Sequence, residues 1–290
     1  MHHKGKGLPI LDAHIHLDPS GRPKEAVRSF IERGGTHLLI VHKPYHHFKE
    51  NDPEDSISSF GTTLEMTEIA RDEGVEAWCV VGPYPGEMPG LVKKIGTENA
   101  LDLMKDSVKR ALYLVKKGKA LGIGEVGRVH FPVDDRIQEK CDEVLMEALR
   151  GSAELGCPVI LHTESFHSNP DLMKHLSAMA DEAGAQKERI IKHYSGRDLL
   201  PSESRCGLSI SLQCRRENLN EGLLKKADFL LETDYIDDPN RPNVVMPPDT
   251  VPKKIRWAYN KGILRETEHR RLMIDIPRRV LGMDTAPDDL

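Results

Sequence analysis

Short apolar runs alternate with longer amphipathic stretches along most of the 290-residue chain. Runs that are apolar on both faces are typical of strands in a parallel sheet that is covered on both sides. Eight runs have this composition: Pro9–Leu17, His37–His42, Glu76–Val81, Ala120–Val126, Pro158–His162, Arg189–His193, Leu208–Gln213 and Phe229–Asp234. The stretches between and after them repeat apolar residues at helical spacing. Helices are therefore predicted at Pro23–Arg33, Thr62–Glu73, Ala100–Lys117, Ile137–Leu155, Pro170–Ala183, Leu219–Lys226, Pro252–Lys261 and Glu266–Leu281.

This alternation predicts parallel strands that are joined by crossover helices. Eight such units in a chain of this length favour a closed (β/α)8 TIM barrel, an α/β fold, that forms one domain over residues 1–290. An open sheet would usually carry a glycine-rich phosphate loop after its first strand, and that position holds histidines instead. The connection from Arg197 to Cys206 is short, and the stretch from Asp237 to Pro252 predicts a long ordered loop over the barrel mouth.

Composition and charge narrow the range of partners. The net charge of −5 gives no general basic field for nucleic acid, so binding a nucleic acid would need a local patch. The odd count of five cysteines, without a Cys-x-x-Cys motif, favours reduced thiols and a cytoplasmic location. No signal peptide and no membrane-spanning run are visible, so no membrane partner is expected. The sequence does not specify the oligomeric state.

Two histidines at the end of the first run are the first candidates for metal binding. Side chains alternate along a strand, so His14 and His16 point to the same face. Two imidazoles in this arrangement can hold one divalent metal ion. The alternative is a pair of unrelated histidines near a loop.

Further residues of metal-ligand type end four of the later runs: Glu125, His162, His193 and Asp234. Because strand ends surround one mouth in a (β/α)8 barrel, these side chains are expected to converge there. Taken singly, each could be an ordinary core histidine, ion-pair partner or helix cap. Together with the first two histidines they exceed what one catalytic metal needs, and they predict two ions roughly 3.5–4 Å apart.

The carboxylate of Glu125 is the natural bridge between the two ions. His14, His16 and Asp234 would complete the ligands of one ion, and His162 and His193 those of the other: this is the predicted ligand set. A water between two dications loses a proton near neutral pH and becomes a nucleophile. Asp234 could orient it and carry the proton to the leaving group. Zn²⁺, Mn²⁺ or Mg²⁺ would suit such a site, and the residues do not select one.

Several motifs of the chain resemble those of the TatD-related metal-dependent hydrolases, a branch of the amidohydrolase superfamily. They are the histidine pair, Gly124-Glu125-Val126-Gly127, the histidines on strands five and six, Glu232-Thr233-Asp234, and the tail Pro277–Leu281. The resemblance spans almost the whole chain. It implies hydrolysis that depends on divalent metal ions, with phosphodiester bonds in DNA or small nucleotides as the substrate.

Two departures from the family pattern leave a second interpretation of the function open. The chain has Val81-Gly82-Pro83-Tyr84-Pro85 where the family has Gly-x-His-Pro, and His162-Thr163-Glu164 where the family has His-x-Arg. A glutamate in place of an arginine makes the pocket less favourable for phosphate. The alternative is therefore a hydrolase of C–N, ester or lactone bonds. A binding protein with a vestigial site is the third reading, and the complete ligand set argues against it.

Polar side chains near the strand ends are the candidates for substrate binding: His42, Lys43, Glu164, Lys192, Arg197 and Gln213. Cations among them could hold a phosphate or a carboxylate, although solvated loop cations are common. Four tyrosines also follow strand ends, at positions 45, 84, 194 and 235. They could stack on nucleic-acid bases or could simply pack. The expected partner is thus a nucleic acid or a small-molecule substrate.

Overall fold

The computed structural model describes residues 8–45, 59–241 and 244–287. Within them, nine parallel strands form one sheet in the order β8-β7-β6-β5-β4-β3-β2-β1-β9. The strands are β1 (Leu11–His16), β2 (His37–Val41), β3 (Glu76–Val81), β4 (Gly122–Gly127), β5 (Val159–His162), β6 (Ile190–Lys192), β7 (Ser209–Gln213), β8 (Leu230–Glu232) and β9 (Tyr235–Ile236). All eight predicted strands are present in the predicted order, so neighbouring strands of the sequence are neighbours in the sheet.

The eighth predicted strand, Phe229–Asp234, corresponds to β8, and a short strand that was not predicted, β9, lies just beyond its end. Strand β8 pairs with β7 and strand β9 pairs with β1, so together they join the two ends of the sheet. Between them the amide of Asp234 donates a hydrogen bond to the carbonyl of His14 at 3.0 Å. The α/β fold of a (β/α)8 barrel is confirmed.

Helices cover the outside of the sheet. They are α1 (Pro23–Glu32), α2 (Phe60–Asp72), α3 (Met88–Ile95), α4 (Thr97–Lys116), α5 (Asp135–Leu155), α6 (Leu172–Ala183), α7 (Arg216–Leu224), α8 (Thr250–Asn260), α9 (Glu266–Arg270) and α10 (Ile276–Val280). Helix α3 was not predicted. The short connection after β6 is formed by two 3-10 turns, Arg197–Leu199 and Ser202–Arg205.

The predicted last helix, Glu266–Leu281, is interrupted by a π-helical turn at Arg271–Asp275. Pro277 has no backbone N–H to continue the α-helical hydrogen bonds, and the helix widens just before it. Helix α5 shows the opposite case, with clear signals at both ends. The side chain of Asp134 accepts a hydrogen bond from the amide of Arg136 at its start, and Gly156 ends it with φ of 64°, a conformation that favours glycine.

The core lies on both sides of the strands. Every residue of β1 and β2 is buried. On the outer face, α1 packs Ala26, Val27 and Phe30 inwards, and Phe30 is fully buried. A fully buried phenylalanine stabilises the fold by about 1.5–3 kcal/mol, so this packing holds the strand ends in fixed positions. No helix of the described residues has the length and apolar character that crossing a membrane requires.

Candidate metal centre

The two histidines of β1 lie side by side at the C-terminal end of the strand. Their Nε2 atoms are 3.2 Å apart, and both residues are buried. Ile15 between them is fully buried. The Nδ1 of His16 donates a hydrogen bond to the carbonyl of Val41 at 2.8 Å, which leaves the lone pair of Nε2 free to bind a cation.

Glu125 of β4 lies at the centre of the site. Its Oε1 is 2.9 Å from Nε2 of His193, 3.2 Å from Nδ1 of His162 and 3.4 Å from Nε2 of His14. The site contains one group formed by His14, His16 and Glu125 and another formed by Glu125, His162 and His193, each with its ligand atoms within 4.8 Å of one another. Imidazoles and a carboxylate at this spacing fit divalent ions, and Glu125 is common to both groups.

Two glycines of β4, one directly before Glu125 and one two residues after it, explain how β4 and β5 come close enough to form the site. Gly127 has φ of 136°, and a Cβ there would lie 2.3 Å from the carbonyl oxygen of His162. A Cβ on Gly124 would lie 2.7 Å from the Cβ of Ile160. Larger side chains at either position would push the strands apart and separate Glu125 from His162.

Asp234 lies on the other side of the β1 histidines. Its Oδ1 is 3.4 Å from Nε2 of His16 and 3.7 Å from Nε2 of His14. Its φ of 52° is in the left-handed region, which aspartate tolerates better than most residues. The structure therefore brings together all six residues of the predicted ligand set.

The electrostatic balance of the site favours a cation. Burial opposes ionisation of Glu125, but His193 and His162 hold its pKa well below the usual range. Burial likewise opposes ionisation of Asp234, and its contacts with His16 and His14 lower its pKa. Burial disfavours protonation of His14, yet the contacts with Glu125 raise its pKa to about 9. A divalent ion would compete with that proton, so metal binding releases protons.

Two further residues lie beside the histidines of the predicted ligand set and were not predicted as members of the site. Glu232 is fully buried, with its oxygens 4.0 Å from Nδ1 of His14 and 3.9 Å from Nδ1 of His193. The Nδ1 of His130, in the loop after β4, lies 2.8 Å from Nε2 of His162. Glu232 lies in the Glu-Thr-Asp motif, two residues before Asp234, and its place in this motif could have identified it as a residue of the site. Nothing in the sequence around His130 marks it.

Two of the three cations that were predicted to contact substrate have acidic partners. Lys43 forms a buried ion pair with Asp18, and Arg197 pairs with Glu221 at 2.9 Å on the surface. Lys192 is buried, with Nζ 3.4 Å from the carbonyl of His193, and burial lowers its pKa to about 8.

The two predicted polar contacts at positions 164 and 213 also have protein partners. Glu164 accepts hydrogen bonds from Nε of Arg128, at 3.0 Å to Oε1. Gln213 is buried, and its Oε1 accepts a hydrogen bond from Nε of Arg215 at 3.1 Å. These contacts place both side chains within networks at the barrel mouth.

The tyrosines divide into two pairs. Tyr45 is buried against Thr63, and Tyr235 donates a hydrogen bond to Asp237, so both have packing roles. The hydroxyl of Tyr84 lies 3.5 Å from Nε2 of His162, and Tyr194, directly after His193, is 49% exposed. Only the second pair is placed to meet a substrate.

The side chain of His42 makes its contacts within the protein interior. It is buried, its Nδ1 lies 2.8 Å from the hydroxyl of Thr63, and its ring packs edge-on against Phe60. Burial lowers its pKa to about 3. Protonation in the unfolded chain occurs near the usual value of 6.5, so stability is lost as the pH falls from 6.5 towards 3.

We therefore expect acid to destabilise the wild-type protein more than the His42→Gln variant, which cannot titrate there. Between pH 7 and pH 5 the free energy of unfolding should fall by about 2 kcal/mol more in the wild type. Urea unfolding of both proteins at the two pH values measures the difference. Equal losses would show that His42 is accessible to protons in the folded state.

Comparisons with known proteins agree with the fold and the motifs. A family model described as TatD related DNase matches residues 11–282. An uncharacterized protein of Methanocaldococcus jannaschii is 33% identical over 284 residues, covering 96% of this chain and 98% of that protein. The solved structure of a TatD-like protein from Archaeoglobus fulgidus has a TM-score of 0.62 at 16% identity, covering 94% of this chain and 100% of that one. A mutant of a phosphotriesterase-like lactonase from Deinococcus radiodurans has a TM-score of 0.62 at 14% identity, with 95% and 96% covered.

Proposed function

Because this chain belongs to the TatD-related DNase family of metal-dependent hydrolases, we propose that it cleaves phosphodiester bonds, in DNA or in small nucleotides, with two divalent ions held around Glu125. The observation that carries this proposal is that two groups of three potential ligands share the Glu125 carboxylate. A shared carboxylate can hold two ions at the separation of roughly 3.5–4 Å that is typical of two-metal phosphodiester hydrolysis.

The residues of the centre have separate tasks. Two bound ions would lower the pKa of a water and withdraw electrons from the phosphorus centre. Val41 holds His16 in one orientation through its carbonyl, and Glu125 holds the two ligand groups together. The Oδ1 of Asp234 lies beside the β1 histidines, where it accepts the proton of the attacking water. As the new P–O bond forms and the old one breaks, Asp234 passes this proton to the leaving alkoxide.

The proposal is tested with an end-labelled single-stranded DNA oligonucleotide and protein reconstituted separately with Mg²⁺, Mn²⁺ or Zn²⁺. We expect shortening that depends on the metal ion and is lost in the Asp234→Asn variant. The variant controls for contaminating nucleases, because it is purified in the same way. A full-length oligonucleotide with every metal would contradict the phosphodiester proposal and leave the hydrolase class in place.

One observation favours a second substrate class, neutral esters, lactones or cyclic amides. Arg128, the first residue after β4, pairs with Glu164 at 3.0 Å and also with Asp142. Two acidic partners compensate its positive charge, as Asp18 compensates that of Lys43. A site whose nearby cations are already paired has little positive charge available to attract a polyanion. An uncharged substrate does not depend on that charge.

The Glu164→Gln variant separates the two classes. It removes one negative charge and frees one side of Arg128, so KM for an oligonucleotide should fall by roughly 3–10-fold. KM for a neutral lactone should stay the same. A control is Glu154→Gln, which removes the same charge from an exposed position near the end of α5. An unchanged KM for DNA in the Glu164 variant would show that Arg128 does not reach the substrate.

A further inference from the structure

Two ligand histidines each have a buried nitrogen without a hydrogen-bond partner. These atoms are Nδ1 of His14 and Nδ1 of His193. The two rings stack, with centroids 4.3 Å apart and planes 17° apart. Glu232 faces both rings, with Oε2 4.0 Å from the first nitrogen and Oε1 3.9 Å from the second. An unpartnered buried N–H is costly, so this arrangement requires an explanation.

The protonation state of the two rings explains why these nitrogens have no partner. A neutral imidazole has one lone pair, and in both residues Nε2 faces Glu125, at 3.4 Å for His14 and 2.9 Å for His193. If Nε2 binds a cation, Nδ1 must carry the proton and act as a donor. A third cation among His14, His193 and Glu232, whose potential ligand atoms also lie within 4.8 Å, would need a second lone pair from each ring. The Nδ1 atoms are therefore donors that lack acceptors.

Glu232 has the free capacity to accept both protons. Its Oε1 accepts a hydrogen bond from the amide of Tyr194 at 2.7 Å, and its Oε2 accepts one from the hydroxyl of Ser211. A carboxylate oxygen has two lone-pair sites, so one site remains on each oxygen. Movement of each ring by about 1 Å would bring its Nδ1 within hydrogen-bond distance.

We propose that Glu232 is a positioning residue shared by the two ligand groups: its two oxygens accept the Nδ1 protons of His14 and His193, one from each group. This inference rests on the two-metal site proposed above. The shared acceptor orients both rings, fixes Nε2 as the binding atom and increases the basicity of both ligands. Removing it therefore affects both metal positions, although Glu232 need not touch either ion.

The first test is titration of the metal-free protein with Mn²⁺ by calorimetry, which does not depend on any substrate. In the Glu232→Gln variant both binding steps should weaken by roughly 10–100-fold, because the amide offers one acceptor and no charge. The matched control Glu73→Gln removes a carboxylate of low exposure that pairs with Arg28 instead of a ligand histidine. Its affinity for Mn²⁺ should stay within about 3-fold of the wild type.

Weakening of only one step, or of neither, would overturn the shared role. A wild-type protein that binds fewer than two ions would overturn the two-metal site itself, and the two failures are thus distinguishable.

The second test holds even if the Glu232 variant fails to fold. In wild-type protein labelled with ¹⁵N-histidine and loaded with Zn²⁺, NMR should show both histidines protonated at Nδ1 and metal-bound at Nε2. Both Nδ1 protons should resonate far downfield, as expected for hydrogen bonds to a carboxylate. Either histidine bound through Nδ1 would overturn the inference.

Discussion

Replacing Asp234 by asparagine should lower kcat by roughly 10²–10⁴-fold, the contribution typical of a positioned proton-transfer group, while the protein keeps its metal ions. Asparagine has the same shape, tolerates the φ of 52° at this position and retains an oxygen next to the β1 histidines. Its amide cannot take a proton from water near neutral pH. The variant therefore separates proton transfer from metal binding.

The measurement combines steady-state kinetics on the oligonucleotide with metal content determined by mass spectrometry after dialysis. The Asp284→Asn variant controls for the loss of an acidic charge, because Asp284 is exposed and its contacts are with Arg278 and the amide of Ala286 instead of the site. Undiminished turnover in the Asp234 variant would remove this residue from the chemistry. Loss of both turnover and metal would assign it to metal binding instead.

The convergence of these six residues could be predicted from the sequence because it follows from two local rules. Period-two alternation places His14 and His16 on one face of β1, and the parallel topology brings every strand end to the same mouth. Neither rule needs knowledge of distant side chains. Glu125 and His162 then meet because Gly124 and Gly127 let β4 approach β5, and this motif is also readable in the sequence.

The environment of the charged groups could not be predicted, because it depends on pairs that are distant in sequence. Arg128 and Glu164 are 36 residues apart, and Lys43 and Asp18 are 25 apart. Lys43 and Glu164 were each predicted to contact substrate, whereas the structure pairs each of them with a residue of opposite charge. The contacts of His42 depend on a distant partner in the same way, since Thr63 belongs to α2.

Helix α3 could have been found. Its second residue, Pro89, is compatible with the first turn of a helix, and Gly96 follows its end. Only that glycine separates helix α3 from helix α4, so the sequence of the two helices resembles one irregular connection. The π-helical turn before Pro277 is different, because the apolar periodicity runs through it and only the proline signals a change.

Replacing Glu125 by alanine should cost the protein at least one of the two metal ions that we propose. Its Oε1 lies within 3.4 Å of a nitrogen in His14, His162 and His193, so each ligand group loses a member. Two ligands rarely hold a divalent ion, and the buried imidazoles lose the negative charge that favours a cation. Metal content after dialysis should fall from two ions per chain to one or none, with no detectable turnover.

The Glu125→Asp variant keeps the charge on a shorter side chain, and should bind the metal ions more tightly than the alanine variant. Circular dichroism confirms that both variants are folded. If the alanine variant retained two ions, Glu125 could not be their bridge, and the two ligand groups would have to act independently.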